Sequence, residues 1–205
     1  MALEATATAR SPVKQIFVDF DGVIKDATTG QANGTLYSKA KALAKANLAF
    51  LVADLFHERF PSFVEKGIQK FCKEYKASRP NPKAVELLRE LQRNGYEVVV
   101  LTSNNGVKAI KQQLEENGLC IDVLVKQPLE KLAAAKKEKT VILDDGLKII
   151  LYGLAYRGNL VSLQAKHNLV AGPFLLFLNR NKVRYDQSVG AICESIKKAI
   201  REAEA

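Results

Sequence analysis

Acidic, hydroxyl and basic side chains follow several short apolar segments of this 205-residue sequence. In chain order these groups are Asp19 and Asp21, Thr102 and Ser103, Lys126, and Asp144 with Asp145. In open α/β sheets, ligands bind beyond the carboxyl ends of the strands, so we expect these groups to converge on one edge of a sheet. Carboxylates, a hydroxyl and an ammonium gathered in this way predict a phosphoryl-transfer site.

The chemistry requires each of these residue types. A carboxylate can attack phosphorus and divide one difficult step into two easier ones. Because nucleophile and phosphate are both anionic, the site must be neutralised, and a hard divalent ion held by carboxylates, Mg²⁺, suits this need. A lysine and a hydroxyl would bind phosphoryl oxygens. A second carboxylate two residues from the nucleophile could protonate the leaving oxygen and later activate water.

Five short runs rich in valine and isoleucine must hold these groups in place. The runs are continuously apolar and too short for buried helices, so they predict strands covered on both faces. Helical patterns separate the later runs, which predicts a parallel, doubly wound α/β sheet. The predicted strands are residues 15–19, 97–101, 121–125, 140–144 and 159–163; the predicted helices are 82–94, 107–117, 129–137, 147–157 and 190–203. Residues 173–178 predict an edge strand and residues 179–182 a turn.

The alternation of strands and helices is interrupted once, which predicts the domain organisation. Residues 1–13 are small and polar and predict a flexible tail, while residues 14–25 and 81–205 form the α/β core. Residues 26–80 predict a small helical cap that begins with a turn-rich flap. Within it, residues 48–56 are apolar around most of a helix. They form either the cap's own core or a surface for a partner or a homodimer.

Residues 17–24 resemble motif I of the haloacid dehalogenase (HAD) superfamily, apolar residues followed by Asp-x-Asp-Gly. By this resemblance Asp19 is the nucleophile and binds Mg²⁺ through its side chain. Asp21 is the general acid and base, and it binds Mg²⁺ through its backbone carbonyl. Residues 98–102 resemble motif II, which makes Thr102 the phosphoryl-binding hydroxyl, or Ser103 if the strand ends one residue later. Members that act on carbon–halogen bonds need no acid at Asp21, so its presence favours phosphate chemistry.

The later motifs leave two assignments open. Motif III is a lysine, for which Lys126 is our choice and Lys131, one helical turn further on, the alternative. Residues 141–146 resemble motif IV, in which Asp145 completes the metal shell and Asp144 is a second ligand or a support. A common form of this motif has another acid four residues after the metal aspartate, and that position is Ile149 here. The resemblance spans about residues 15–163, and the predicted cap matches the family's cap location.

Composition sets wider limits on function. No apolar run reaches the ~18 residues needed to cross a membrane, and we expect no secretory signal peptide. Three widely spaced cysteines form no metal-binding pattern and predict reduced thiols in the cytoplasm. The net charge of +9 would attract phosphate-rich partners. Many of the lysines recur at helical spacing, so we favour the interpretation that they lie on solvated helix faces and expect no nucleic-acid binding.

The sequence therefore predicts a Mg²⁺-dependent phosphatase acting on a phosphomonoester through a phospho-Asp19 intermediate. A cap of about 50 residues is small, which favours a bulky substrate such as a phosphoprotein. Three alternatives differ in class. They are a phosphotransferase or mutase, an HAD-type binding module that recruits a partner through residues 48–56, and a receiver domain. A receiver domain carries its adjacent acid pair on the first strand, whereas here the pair lies on the fourth.

Overall fold

The computed structural model describes residues 14–25, 79–146, 149, 152, 160–164 and 182–205. Within these ranges, six strands form one parallel sheet in the order β3-β2-β1-β4-β5-β6. In chain order, the elements are β1 (Gln15–Val18), α1 (Pro82–Arg93), β2 (Glu97–Thr102), α2 (Val107–Glu116), β3 (Asp122–Val125), α3 (Pro128–Lys137), β4 (Ile142–Asp144), β5 (Leu160–Gln164), β6 (Lys182–Arg184) and α4 (Val189–Glu204). The strand order reverses beside β1, as in doubly wound α/β folds.

Helices cover both faces of the sheet. On one face, Ile16 and Val18 of β1 pack in a buried cluster with apolar side chains of α1, α2 and α4. On the other face, Phe17 of β1 packs with Leu132 of α3 and with Ile149. Successive residues of a strand point to opposite faces, so a strand buried on both sides needs an unbroken apolar run. This requirement explains the composition of the strands.

Local signals fix where the helices begin. Asn81 precedes α1, and its side chain accepts a hydrogen bond from the backbone N–H of Lys83 at 2.9 Å, as an N-cap residue does. Pro128 occupies the first turn of α3, where its missing N–H is harmless. The carboxylate of Glu130 accepts the backbone N–H of Gln127 at 2.9 Å, which satisfies an N–H at the start of α3. Lys131 follows in the next position of that helix.

Most of the predicted fold is confirmed. All five predicted strands lie in the sheet, and the closing helix runs over Val189–Glu204. One prediction was wrong in part, because Lys182, assigned to a turn, opens the parallel edge strand β6. That strand contributes the buried Val183 beside the exposed Arg184, which is too little apolar sequence to signal a strand. None of the helices in the described residues is both long and apolar enough to cross a membrane.

Several predictions fall outside the described residues. They concern the tail at residues 1–13, nearly all of the cap at residues 26–80 with its apolar segment at 48–56, and the edge strand at 173–178. The helix predicted at 147–157 is described only at Ile149 and Tyr152, both of which are helical.

Candidate active site

Three buried carboxylates meet at the carboxyl ends of β1 and β4. Asp19 follows the last residue of β1, Asp144 ends β4, and Asp145 comes next. One oxygen from each carboxylate lies within 4.8 Å of the others, although the three residues are only 8, 1 and 7 % exposed. The backbone N–H of Asp19 donates to the carbonyl of Leu143 at 2.9 Å. Pairing of the two strands therefore brings together acids that are far apart in the sequence.

The ammonium that meets this cluster belongs to Lys131. Its Nζ lies 2.8 Å from Oδ1 of Asp19 and 3.1 Å from Oδ2 of Asp144, and the residue is 3 % exposed. The structure thus places at the acids the lysine that the sequence analysis held as the alternative, in place of our choice, Lys126. Lys126 follows β3, and its backbone N–H donates to the carbonyl of Thr102 at 2.9 Å. Its position ties the ends of β2 and β3 together.

The burial of three carboxylates and one ammonium shifts the pKa values of Asp19 and Lys131. Burial raises the pKa of Asp19 well above its ordinary 3.8; Lys131 opposes this effect, and the nearby Asp144 and Asp145 reinforce it. Burial alone would lower the pKa of Lys131, but the attraction of Asp144 and Asp19 outweighs it and the pKa is raised. Lys131 therefore stays protonated, while Asp19 resists ionisation in the absence of a further positive charge.

The donor set fits a divalent cation. With all three acids ionised, their charge exceeds that of Lys131 by two, which is the charge of Mg²⁺. Carboxylate oxygens are the hard ligands that Mg²⁺ prefers. The two oxygens of Asp144 are both engaged by the protein, since Oδ2 meets Lys131 and Oδ1 accepts the backbone N–H of Gly146 at 2.8 Å. The side chain of Asp144 is therefore held at both of its oxygens.

Gly22 makes room for Asp145. A Cβ atom added to Gly22 would overlap both carboxylate oxygens of Asp145, well inside van der Waals contact. Gly22 also has φ +91°, a left-handed conformation that favours glycine. Its N–H donates to the carbonyl of Lys25 at 2.9 Å, in the turn that follows β1. The absence of a side chain at Gly22 in the Asp-x-Asp-Gly segment thus leaves space for Asp145, the acid that follows the neighbouring strand β4.

Asp21 sits at the edge of the site and is partly exposed. Its Oδ2 accepts a hydrogen bond from Nδ2 of Asn104 at 3.0 Å. The side chain of Lys25 is 5 % exposed; burial lowers the pKa of this lysine, and the negative charge of Asp21 partly opposes that shift. Asn104 was not among the predicted site residues. Its place in the loop after β2, directly after Thr102 and Ser103, was the available signal.

The two hydroxyls after β2 have different partners. Thr102 is 1 % exposed, and its Oγ1 accepts the backbone N–H of Asn104 at 3.0 Å. The hydroxyl of Ser103 donates to the carbonyl of Lys126 at 3.2 Å. Thr102 is thereby linked, through Asn104, to Asp21. Ser103 is linked instead to the end of β3.

Fold and site together define a doubly wound α/β protein with acids at the ends of β1 and β4 and a lysine from α3. A protein assigned as a beta-phosphoglucomutase from Bacteroides vulgatus is similar in structure, with a TM-score of 0.55, 16 % sequence identity, and coverage of 92 % of this chain and 90 % of that one. A hydrolase from Pseudomonas syringae gives a TM-score of 0.52 at 16 % identity, covering 90 % of this chain and 98 % of its own. No protein-family model and no curated protein matches the sequence. The chain thus shares the fold of these two proteins, which confirms the predicted α/β fold class.

Proposed function

We propose that this protein is a Mg²⁺-dependent phosphohydrolase that cleaves phosphomonoesters through a phosphoryl group carried on Asp19. The observation that carries the proposal is the contact between Lys131 and Asp19 beside two further carboxylates. An acid of raised pKa, paired with a buried ammonium and lying beside two further carboxylates, is an arrangement suited to phosphoryl transfer. An apolar core would gain nothing from such a group of buried charges.

In the proposed first step, a carboxylate oxygen of Asp19 attacks phosphorus and the bond from phosphorus to the ester oxygen breaks. Asp21 gives its proton to the departing oxygen, so the product leaves as an alcohol. Lys131 keeps its proton and offsets the charge that gathers on the phosphoryl oxygens. When bound, Mg²⁺ would neutralise the acids and the phosphoryl group.

In the second step, water attacks phosphorus while Asp21 takes up one of its protons. The bond to Asp19 breaks, and inorganic phosphate and the free carboxylate are released, which restores the starting state. Thr102 would donate its hydroxyl proton to a phosphoryl oxygen, since its Oγ1 already accepts the N–H of Asn104. Thr102 is preferred to Ser103 for this role because the hydroxyl of Ser103 donates to the carbonyl of Lys126.

The structure favours a division of labour between the two adjacent acids. Asp144 holds Lys131 in position, and it is itself held by the N–H of Gly146. Asp145 would be the metal ligand, together with the side chain of Asp19 and the backbone carbonyl of Asp21. Asp144 is then a positioning residue. The sequence left the roles of the two adjacent acids open, and the contacts of Asp144 support this proposed division.

The experiment compares wild type, Asp19→Asn and Asp122→Asn with para-nitrophenyl phosphate, in Mg²⁺ and in EDTA. Asp122 is an exposed aspartate of β3 and provides a matched control. We expect turnover in Mg²⁺ only, a loss of at least about 1000-fold in Asp19→Asn, and wild-type rates in Asp122→Asn. Acid quenching during turnover should trap a labelled phosphoryl group on the wild-type chain and none on Asp19→Asn. Equal rates in the two variants would remove Asp19 from its role.

The substrate class rests on the length of the predicted cap at residues 26–80, which we propose leaves the site open to a phosphorylated protein side chain. Phosphate release from a phosphopeptide panel, measured beside sugar phosphates and nucleotides, tests this. Turnover of the small esters alone would contradict it. Activity on neither group would favour the binding-module alternative. The free thiols of Cys120 and Cys193 fit the reducing compartment that we propose from the sequence.

A further inference from the structure

Asn104 makes three hydrogen bonds that join the first two motifs of the site. Its backbone N–H donates to Oγ1 of Thr102 at 3.0 Å, its Oδ1 accepts the backbone N–H of Gly106 at 2.8 Å, and its Nδ2 donates to Oδ2 of Asp21 at 3.0 Å. Asn104 is itself exposed. One polar residue of a loop thus contacts the hydroxyl residue proposed to bind phosphate and the acid proposed to protonate the leaving group.

The amide orientation of Asn104 follows from its surroundings. The backbone N–H of Gly106 can only donate, so the atom that meets it must be the carbonyl oxygen Oδ1. The opposite atom, Nδ2, then faces Asp21, whose carboxylate accepts. Because Gly106 immediately precedes α2, the orientation of Asn104 is set by the start of a helix. The donor presented to Asp21 is therefore fixed before any substrate binds.

We infer that Asn104 is a positioning residue that orients the carboxyl of Asp21 toward the leaving-group oxygen, an inference that rests on the function proposed above. Asp21 is partly exposed and lies in the turn after β1, and its hydrogen bond with Asn104 restricts the rotamers that its side chain can adopt. Donation from Nδ2 to Oδ2 sets the plane of the Asp21 carboxyl and thus the direction in which it would transfer the proton. A misplaced acid would slow the departure of a poor leaving group most, because a good one needs no proton.

Three variants separate this role from a structural one. Asn104→Asp keeps an oxygen for the N–H of Gly106 but replaces the donor to Asp21 with a second carboxylate. Asn104→Ser can retain the turn through its hydroxyl, yet it is too short to reach Asp21 and adds no charge. Asn94→Asp is the matched control, since Asn94 also donates to a carboxylate, that of Glu90 at 3.2 Å. Asn94 follows α1, at the end of the sheet opposite the site.

The readout is kcat/KM for two esters of similar shape, phenyl phosphate and para-nitrophenyl phosphate. Phenolate is a strong base, like the tyrosine side chain with its pKa of about 10, and leaves poorly without an acid; nitrophenolate leaves readily. We expect Asn104→Asp and Asn104→Ser to lose about tenfold or more on phenyl phosphate and only a few-fold on the nitrophenyl ester. Asn94→Asp should match wild type on both.

Equal losses on the two esters, or no loss in either Asn104 variant, would overturn the positioning role. A variant that fails to fold is identified by its thermal unfolding and by the loss of its stabilisation by Mg²⁺. The other Asn104 variant then tests the positioning role. A wild-type protein inactive on both esters would instead overturn the proposed function. The two failures are therefore distinguishable.

Discussion

The Nζ atom of Lys131 lies 2.8 Å from Oδ1 of Asp19 and 3.1 Å from Oδ2 of Asp144. All three side chains are buried, and their pairing connects the helix after β3 with the ends of β1 and β4. A buried ion pair of this kind seldom adds net stability, because desolvation offsets the attraction. Its presence supports the proposed chemistry, which would need a fixed positive charge beside Asp19.

Replacement of Lys131 should therefore damage both stability and turnover. In Lys131→Met, Asp19 and Asp144 lose their buried partner, and the free energy of unfolding should fall by about 3–5 kcal/mol. Turnover should fall at least about 100-fold. Lys126→Met is the matched variant, and we expect it to stay within a few-fold of wild type. Urea unfolding and hydrolysis of para-nitrophenyl phosphate measure both effects; a larger loss of turnover in Lys126→Met would restore our first choice of lysine.

Gly22 and Gly95 form a second matched pair. Both have positive φ, +91° and +83°, so an alanine at either position is strained by about 1–2 kcal/mol. A Cβ at Gly95 meets nothing within 4 Å, whereas one at Gly22 overlaps Asp145. We expect Gly95→Ala to lose stability alone and Gly22→Ala to lose turnover and Mg²⁺ affinity as well. Kinetic titration with Mg²⁺ is the measurement, and an unchanged Mg²⁺ requirement in Gly22→Ala would contradict the expected displacement of Asp145.

The two adjacent acids should respond differently to neutral substitution. Asp145→Asn should raise the Mg²⁺ concentration needed for half-maximal activity by about tenfold or more. Asp144→Asn should alter that requirement less, and should instead reduce stability, because Lys131 loses a charged partner. Mg²⁺ titrations and thermal unfolding of both variants test this division. The reverse pattern would make Asp144 the metal ligand.

Binding of Mg²⁺ should stabilise the protein, and pH should control the effect. At a concentration of about 100 times Kd the gain is about 2.7 kcal/mol, which corresponds to a rise in Tm of about 5–10 °C for a chain of this size. A metal ligand must be ionised, and the pKa of Asp19 is raised. The rise in Tm that Mg²⁺ produces should therefore become smaller as the pH falls. This decrease should begin at a pH well above the ordinary aspartate pKa of 3.8.

Without metal, the stability of the folded protein should fall as the pH rises. The unfolded chain releases the proton of Asp19 near pH 3.8, while the folded chain keeps it to a higher pH. The folded state thus binds more protons between these two values, so stability falls as the pH rises through them. Asp19→Asn removes this loss and should be more stable than metal-free wild type at neutral pH. Thermal unfolding in EDTA from pH 4 to 8 measures the difference, and parallel curves for the two proteins would contradict it.

The sequence predicted the sheet well because strands buried on both faces leave unbroken apolar runs. It predicted the lysine less well, since Lys126 follows β3 directly whereas Lys131 reaches the acids from one turn into α3. The buried neighbours Leu132 and Ala135 place Lys131 on the apolar face of that helix, a signal that the local pattern contained. For Asn104 the only signal was its place directly after Thr102 and Ser103, because its contact with Asp21 depends on how two loops meet. The short β6 was not predicted either, because one buried valine, Val183, is too little apolar sequence to indicate a strand.

The central position of β1 has a consequence for folding. β1 pairs with β2, and in this pairing Gln15 lies opposite Glu97, 82 positions along the chain. Its other neighbour, β4, comes still later in the sequence. Within the described sheet, β1 alone links the β3–β2 pair to the β4–β5–β6 group, so long loops must close before the two halves join. High contact order of this kind slows folding. The joining of the two halves brings Asp19 beside Asp144 and Asp145, so a divalent cation that offsets the repulsion between these acids should hasten it.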